Sequence, residues 1–332
     1  VKRNTEKWMR FVVLQTALKL YVYAMQHPET WSVILNPTAN GRKSTQRWKQ
    51  LEAQLKAYQI PFQLFQTAQS GDGTRIALQC LKNGSRSMLI VGGDGSVNEV
   101  VHAILDQSEI PSHLIKLAIY PAGTGNDFVR TLKIPREPKA FVKMMLQSKF
   151  QIQDAGSIQH LSTQKPLQYF INVAGIGFDA FVAYTANEAK KKGKSGVLTY
   201  LTALIGCLSK YEAVECEVEI DGEKTSFPVF AILAGIGKYA GNGMKLVPDA
   251  ILNDGLFHVT AVRKIRKAKV IRNIAKLFTG AFKHLEEVKI TTAKVVRVYP
   301  SKKLYVEADG ESFGNGPVEF RILPSRIQML VP

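Results

Sequence analysis

Residues 91–99 read Val91-Gly92-Gly93-Asp94-Gly95-Ser96-Val97-Asn98-Glu99. The run Ser87–Val91 before them is short and apolar and predicts a buried strand. After them, Val97, Val100, Val101, Ile104 and Leu105 recur at helical spacing. The glycines therefore sit where a strand ends and a helix begins. At such a junction backbone N–H groups point outward and the helix dipole favours an anion. Glycine lets phosphate oxygens come close to the main chain. Asp94 would repel a phosphate directly, but could reach it through Mg²⁺, a hard cation that prefers oxygen ligands.

Working outward, the same arrangement recurs. Trp31–Leu35 reads as a buried strand and runs into Asn36-Pro37-Thr38-Ala39-Asn40-Gly41. A helix follows, with Trp48, Leu51, Leu55 and Tyr58 on one side. Gln63–Thr67 predicts a strand and Thr74–Leu81 a helix. Ile115–Tyr120 predicts another strand, followed by Pro121-Ala122-Gly123-Thr124-Gly125-Asn126-Asp127. Strands separated by helices imply a largely parallel sheet covered on both faces. Ligands of such sheets bind beyond the carboxyl ends of the strands, where these loops converge. Thr38, Asn40, Thr67, Ser96 and Thr124 offer donors there. The P-loop pattern is absent: Gly41-Arg42-Lys43-Ser44 resembles its tail but lacks the first glycine at the required spacing.

The pattern changes near Pro135-Arg136-Glu137-Pro138. After a helix around Lys139–Gln147, the chain becomes strand-rich. Expected strands are Gln151–Ile158, Tyr169–Ala174, Val214–Ile220, Val229–Leu233, Leu256–Val262, Val288–Val298 and Lys303–Glu307. Asp221-Gly222 is a hairpin signal. Helices are expected at about Phe178–Lys191, Val197–Leu208 and Lys267–His284. The fold expected is an α/β nucleotide-binding domain plus a largely antiparallel β-sandwich domain. Residues 1–27 would be a helical N-terminal extension, 28–150 the α/β domain and 151–316 the sandwich. The alternating strand Pro317–Val331 is free to cross back, so 317–332 would complete the first domain. An internal echo, Phe170–Ala180 against Phe230–Ala240, carries G-x-G-x-x-A twice. Neither copy opens a clean βαβ unit, so two equivalent turns in one sandwich explain it better than dinucleotide binding.

Composition sets the outer bounds. The 332 residues are 45% hydrophobic and 21% charged, with a formal charge of +17. That excludes wholesale disorder, collagen and coiled coil. Cys80, Cys207 and Cys216 form no metal-ligand spacing and suggest reduced thiols in a cytoplasmic compartment. Phe11–Met25 contains Gln15 and Lys19, and Val197–Leu208 is short, so neither predicts a membrane span. The positive charge favours polyanions: nucleotides, nucleic acid or an anionic membrane surface.

The Gly-Gly-Asp-Gly-Ser run resembles the signature loop of the diacylglycerol kinase catalytic domain, a superfamily that includes bacterial soluble lipid kinases and sphingosine kinases. The resemblance extends in order along the chain. Asn36–Gly41 is similar to its first nucleotide loop and Pro121–Phe128 to its third. Asn172–Asp179, Pro248–Leu256 and Ala308-Asp309-Gly310-Glu311 are similar to later segments. The bacterial soluble diacylglycerol kinases are the most similar subgroup. What this resemblance implies is a two-domain lipid kinase using ATP and Mg²⁺ to phosphorylate a lipid hydroxyl, with diacylglycerol going to phosphatidate. Asn36, Pro37, Thr38, Ala39, Asn40, Thr67, the loop Gly92, Gly93, Asp94, Gly95, Ser96, Val97 and Asn98, and Thr124 would hold ATP. Glu311 would be the general base. Asp94 and Asp127 would position catalytic Mg²⁺ and the phosphates. Asp254, with main-chain oxygens of Ile251 and Leu256, would hold a structural Mg²⁺ near the active site. Ser96 stands where threonine is common and Asn40 where a small serine-like residue is frequent.

Two basic clusters remain, Lys190-Lys191-Lys192 with Lys194, and the stretch from Lys264 to Lys276. Within the latter, Ile271, Ile274, Leu277, Phe278, Phe282 and Leu285 form an apolar helical stripe, with Lys269, Arg272, Lys276 and Lys283 largely off it. These cations suit peripheral docking on an anionic inner membrane face. The alternatives are an NAD kinase-like enzyme, which shares a similar Gly-Gly-Asp-Gly loop, and a basic nucleic-acid-binding regulator. No nucleic-acid-binding motif supports the latter, so no nucleic-acid partner is expected. Monomer or homodimer is left open.

Overall fold

The computed structural model describes residues 29–41, 43–191 and 197–332, leaving aside the side chains of residues 190, 191 and 197–201. The expected N-terminal helix and the Lys190–Lys194 cluster lie outside what it describes.

The first half alternates as its pattern predicts. Strands β1 (Trp31–Leu35), β2 (Phe62–Gln66), β3 (Ser87–Gly92) and β4 (Lys116–Pro121) pair in parallel, in the order β2-β1-β3-β4. Every residue of β1 and β3 is buried. That is why both read as continuous apolar runs rather than alternating ones. Helices α1 (Lys43–Ala57), α2 (Asp72–Lys82), α3 (Asp94–Asp106), α4 (Asp127–Leu132) and α5 (Pro138–Gln147) complete this half. Trp48, Leu51, Leu55, Val100, Val101 and Ile104 enter its core.

The second half is antiparallel. It comprises β5 (Phe150–His160), β6 (Gln168–Phe170), β7 (Val173–Gly177), β8 (Val214–Ile220), β9 (Glu223–Gly235), β10 (Phe257–Arg263), β11 (Val288–Ala293), β12 (Val295–Pro300), β13 (Tyr305–Ala308), β14 (Glu311–Asn315) and β15 (Val318–Leu330). Its helices are α6 (Phe178–Lys191), α7 (Val197–Lys210), α8 (Lys267–Arg272) and α9 (Ile274–Thr279). The hairpin at Asp221-Gly222 joins β8 to β9. The echoed segments are neighbours: Val173 pairs with Gly235 and Gly177 with Ala231. Strand β15 runs antiparallel to β5 and β12 and parallel to β4 through Gln328 and Met329, so it belongs to both halves of one continuous sheet.

Three expected elements are broken, each by a polar contact. The strand expected over Tyr169–Ala174 splits into β6 and β7, because Ile171 and Asn172 turn their N–H groups to the Asp309 carboxylate. The strand expected over Val288–Val298 splits at Lys294, whose N–H, with that of Val295, donates to Asp221. The helix expected over Lys267–His284 breaks at Asn273, whose amide donates back to the Lys269 carbonyl, and again at Gly280, where φ is +80°. The apolar stripe is correspondingly incomplete. Phe282 is buried, but Ile271 and Phe278 are exposed.

Candidate active site

Strands β3 and β4 end side by side, with Gly92 in register with Pro121. The Gly92 carbonyl accepts from the N–H groups of Ala122 (2.8 Å) and Gly123 (2.9 Å). This lays two loops backbone against backbone. A Cβ on Gly123 would stand 2.3 Å from the Gly93 Cα, so no larger residue fits. Asn126, in the left-handed region at φ 53°, clamps the turn: its amide donates to the Gly123 carbonyl (2.7 Å) and accepts from the Gly123 N–H (3.0 Å). Helix α3 starts at Asp94 with no side-chain cap. Its first N–H groups are therefore open to an anion.

The first loop joins this platform. Asn36 Oδ1 accepts from Thr38 N (3.1 Å) and Oγ1 (2.9 Å), while its Nδ2 donates to Ser96 Oγ (3.2 Å). Thr124 Oγ1 donates to Asn40 Oδ1 at 3.4 Å, tying the third loop to the first. Beyond β2, Thr67 N donates to the Leu35 carbonyl at 3.0 Å. Glu99 on α3 accepts from the N–H groups of Gly71 and Gly73, both at 2.8 Å, and so holds the start of α2 against α3.

Two carboxylates face the same point. A Cβ on Gly125 would lie 2.9 Å from Asp94 Oδ2 and 3.6 Å from Asp127 Oδ2. Asp94 Oδ1 accepts from Phe128 N at 3.3 Å, and Asp127 Oδ2 from Asn242 N at 2.8 Å. Asp127 Oδ1 is buried without a hydrogen-bond partner among the described residues, with Arg130 Nε at 3.8 Å. Burial raises Asp94 above its ordinary value. Burial, and then the Asp94 charge, push Asp127 up to about 6. Backbone N–H groups and Arg130 compensate these carboxylates only in part, since burial still leaves both values raised. Their hard oxygens suit a divalent cation. No group of three or more His, Cys, Asp or Glu with metal-binding geometry occurs among the described residues. A Mg²⁺ here would complete its shell with phosphate and water oxygens, as that ion commonly does.

The second half supplies the opposite wall. Asp309, in the turn between β13 and β14, accepts from Asn98 Nδ2 (3.0 Å) and from the N–H groups of Ile171 (3.1 Å), Asn172 (3.0 Å) and Val173 (3.2 Å). Burial still pushes it up to about 6, against the pull of those donors. Glu307 Oε2 accepts from Gly310 N at 2.7 Å, and Asn187 Nδ2 donates to the Gly310 carbonyl at 2.8 Å. These contacts fix the turn that carries Glu311. Glu311 Oε1 lies 3.8 Å from where a Cβ of Gly95 would be, facing the first turn of α3.

The resulting cleft has a volume of about 750 Å³. Of the residues expected from the sequence, Asn36, Thr38, Ala39, Asn40, Thr67, Gly93, Asp94, Gly95, Ser96, Thr124, Asp127 and Glu311 line it. Gly92 ends β3 behind this surface. The Pro37 carbonyl accepts from Thr45 Oγ1. Val97 is in the core and its N–H is spent on the Gly93 carbonyl. Asn98 braces Asp309 rather than facing the cleft. Ile251, Asp254 and Leu256 form a separate turn that does not line it. Asp254 Oδ1 accepts from Leu256 N (3.1 Å) and its Oδ2 contacts His258 Nε2 (2.9 Å). Sequence reasoning passed over Glu99, Asp179, Asn242 and Glu307, all of which line the cleft. Glu99 closes the glycine stretch 91–99 and Asp179 closes Asn172–Asp179, which was the available signal for both; Asn242 and Glu307 carried none.

A glycine-lined loop platform, two neighbouring buried carboxylates and a third carboxylate facing the platform across the cleft are the kind of arrangement that phosphoryl transfer uses. Comparison with known proteins narrows that reading. Residues 30–158 match the family model "Diacylglycerol kinase catalytic domain". Residues 172–331 match "YegS C-terminal NAD kinase beta sandwich-like domain". Diacylglycerol kinase of Mycobacterium tuberculosis (strain H37Rv) is 30% identical over 265 residues, covering 79% of this chain and 82% of the relative. Diacylglycerol kinase of Bacillus subtilis (strain 168) is 29% identical over 302 residues, covering 90% and 95%. A crystal structure of a diacylglycerol kinase from Bacillus anthracis str. Sterne superposes with a TM-score of 0.69 at 20% identity, covering 92% of this chain and 97% of that one. The chain belongs to the diacylglycerol kinase family of lipid kinases.

Proposed function

We propose that this chain transfers the γ-phosphoryl group of ATP, with Mg²⁺, to the free hydroxyl of diacylglycerol, giving phosphatidate. The observation that carries this reading is the position of Glu311 opposite the open N-terminus of α3, with Asp94 and Asp127 in the same cleft. When bound, ATP supplies the phosphoryl group and Mg²⁺ neutralises charge on it. The chain's own residues do the positioning. The N–H groups of Gly95 and Ser96 and the Ser96 hydroxyl would donate to phosphate oxygens, and the hydroxyls of Thr38 and Thr124 would join them by turning away from Asn36 and Asn40. Asn36, Asn40 and Thr67 hold the neighbouring loops, and Asp94 with Asp127 would hold the metal. A carboxylate cannot ionise an alcohol outright. Glu311 orients the acceptor hydroxyl and takes its proton as the new P–O bond forms. Asp254, with the carbonyls of Ile251 and Leu256, would hold a second, structural Mg²⁺ outside the cleft.

A lipid acceptor, rather than NAD, is supported by an apolar cavity of about 100 Å³ that shares Asp179, Leu233 and Leu246 with the cleft. Ile265, Val270, Asn273 and Leu277 line its other end, at α8 and α9. That region carries the exposed residues Arg266, Arg272, Lys276, Ile271 and Phe278. Lys269 and Lys283 are instead spent on ion pairs with Glu286, Glu287 and Asp249. No helix of the described residues is long and apolar enough to cross a membrane. Peripheral docking of this face on an anionic bilayer, at about 1 kcal/mol per near-surface cation, would bring the lipid to the cavity. The test is a panel of acceptors (dioleoylglycerol, monoacylglycerol, sphingosine and NAD) with γ-labelled ATP. Label in phosphatidate is expected; label in NADP alone would overturn the reading.

A further inference from the structure

One buried group lacks a role in the account above. Asp179 opens α6, directly after β7. Its carboxylate folds back over the strand: a Cβ on Gly175 would stand 1.9 Å from Asp179 Oδ2. In register with Gly175 are Glu307 on β13 and Leu233 on β9. A missing side chain in the middle strand of three thus makes room for a carboxyl group. Both Asp179 oxygens are buried with no well-formed hydrogen bond among the described residues; only the N–H groups of Asp179 itself and Ala180, at the start of α6, pull on the carboxylate. Its neighbour Glu307 differs, because its Oε2 receives the Gly310 N–H and braces the turn that carries Glu311. Asp179 braces no distant segment, and its local N–H donors do not offset its burial, which a fold does not accept cheaply.

The surroundings suggest what it is for. Asp179 borders both the polar cleft and the apolar cavity, whose wall includes Phe178, Val182, Leu204, Phe230 and Met244. An amphiphilic acceptor spanning the two spaces would place the join between its head and its chain at Asp179. Burial pushes Asp179 up to about 7 and holds Glu307 well above its ordinary value. No cation forms an ion pair with Asp179 among the described residues. A neutral carboxyl group donates one hydrogen bond, which suits an ester carbonyl; a cationic amino alcohol would need the ionised form.

We propose that Asp179 selects the acceptor, donating a hydrogen bond to an ester oxygen of a glyceride whose chain enters the apolar cavity. This rests on the lipid-kinase reading given above. The test uses the full chain, wild type and the variants Asp179→Ala and Asp179→Asn. Acceptors are dioleoylglycerol, its ether-linked dialkyl analogue and sphingosine, all in mixed micelles with ATP. For Asp179→Ala, the KM for dioleoylglycerol should rise about tenfold or more, as expected for a lost polar contact. The KM for ATP should stay within about twofold, and Tm should not fall, because a buried group whose local donors do not offset its burial is removed. Asp179→Asn keeps an N–H donor and should restore KM to within about threefold of wild type. The wild-type preference for ester over ether acceptor should collapse in Asp179→Ala. The proposal is overturned by an unchanged glyceride KM, by Asp179→Asn behaving like Asp179→Ala, or by a lowered Tm with both KM values rising together. Wild-type preference for sphingosine overturns it too. Wild-type inactivity on every lipid would instead remove the lipid-kinase reading on which it stands.

Discussion

Replacing Asp309 by alanine tests how the two halves of the cleft are held together. Its carboxylate accepts from the N–H groups of Ile171, Asn172 and Val173 and from Asn98 Nδ2, at 3.0–3.2 Å. The alanine variant leaves three backbone donors without that acceptor. Asn98 keeps a contact to the Tyr169 carbonyl at 3.3 Å. A buried donor without a partner costs about 1–3 kcal/mol. Asp309 is partly exposed, so water reaches some of this site and the lower figure applies. The gross loss is then about 3 kcal/mol, offset in part because a carboxylate raised by burial is removed. A net loss of about 1–2 kcal/mol corresponds to a fall in Tm of roughly 1.5–3 °C for a chain of 332 residues. Calorimetry on wild type and Asp309→Ala reads it directly, and kcat should fall further because the Glu311 turn loses its anchor. The pH dependence adds a sign. With its folded value raised to about 6, Asp309 holds its proton more tightly in the folded chain than in the unfolded one. Its contribution is therefore fully present below the ordinary carboxylate value and is lost as pH rises through about 6. Asp309→Asn should remove that component from the stability–pH curve. A Tm for Asp309→Ala within about 1 °C of wild type would refute the strut argument.

Further outcomes follow from particular contacts. Gly123→Ala puts a Cβ into the Gly93 backbone and should weaken ATP binding at least tenfold, by about 1.4 kcal/mol or more, as read by calorimetric titration. Asp254→Ala should shift the Mg²⁺ dependence of activity while leaving ATP affinity within about twofold; identical Mg²⁺ titrations would remove the structural-metal role. Charge reversal at Arg266, Arg272 and Lys276 should reduce sedimentation with anionic vesicles by roughly tenfold or more at low salt and much less at high salt. Binding indifferent to both salt and charge would place the docking face elsewhere.

The alternating half of the fold was legible because β1 and β3 are buried on both sides, and unbroken apolar runs announce that. The glycine loops were legible for a related reason. Backbone packed against backbone at Gly93 and Gly123 tolerates no side chain, so the constraint is written into residue identity. The antiparallel half was harder. Its strand breaks at Asn172 and Lys294 are imposed by Asp309 and Asp221, which are distant in sequence, and no local period encodes such a contact. The break at Asn273 had a local cause, but a continuous apolar stripe masked it. Within the site, residues whose role depends on a loop were readable, whereas Glu99 and Glu307 were not. Each acts by accepting N–H groups from a turn that only the fold brings near. Asp179 stood in a quoted motif, yet its isolation between two cavities is a three-dimensional fact.

The account turns on Glu311 facing the N-terminus of α3 as the proton acceptor in phosphoryl transfer to a lipid hydroxyl. The most direct measurement compares wild type and Glu311→Gln for transfer from γ-labelled ATP to dioleoylglycerol, with ATP affinity measured in parallel. The account predicts labelled phosphatidate from wild type, a fall in kcat of about 100-fold or more in the variant, and ATP binding within about twofold. Turnover by Glu311→Gln close to wild type would contradict it.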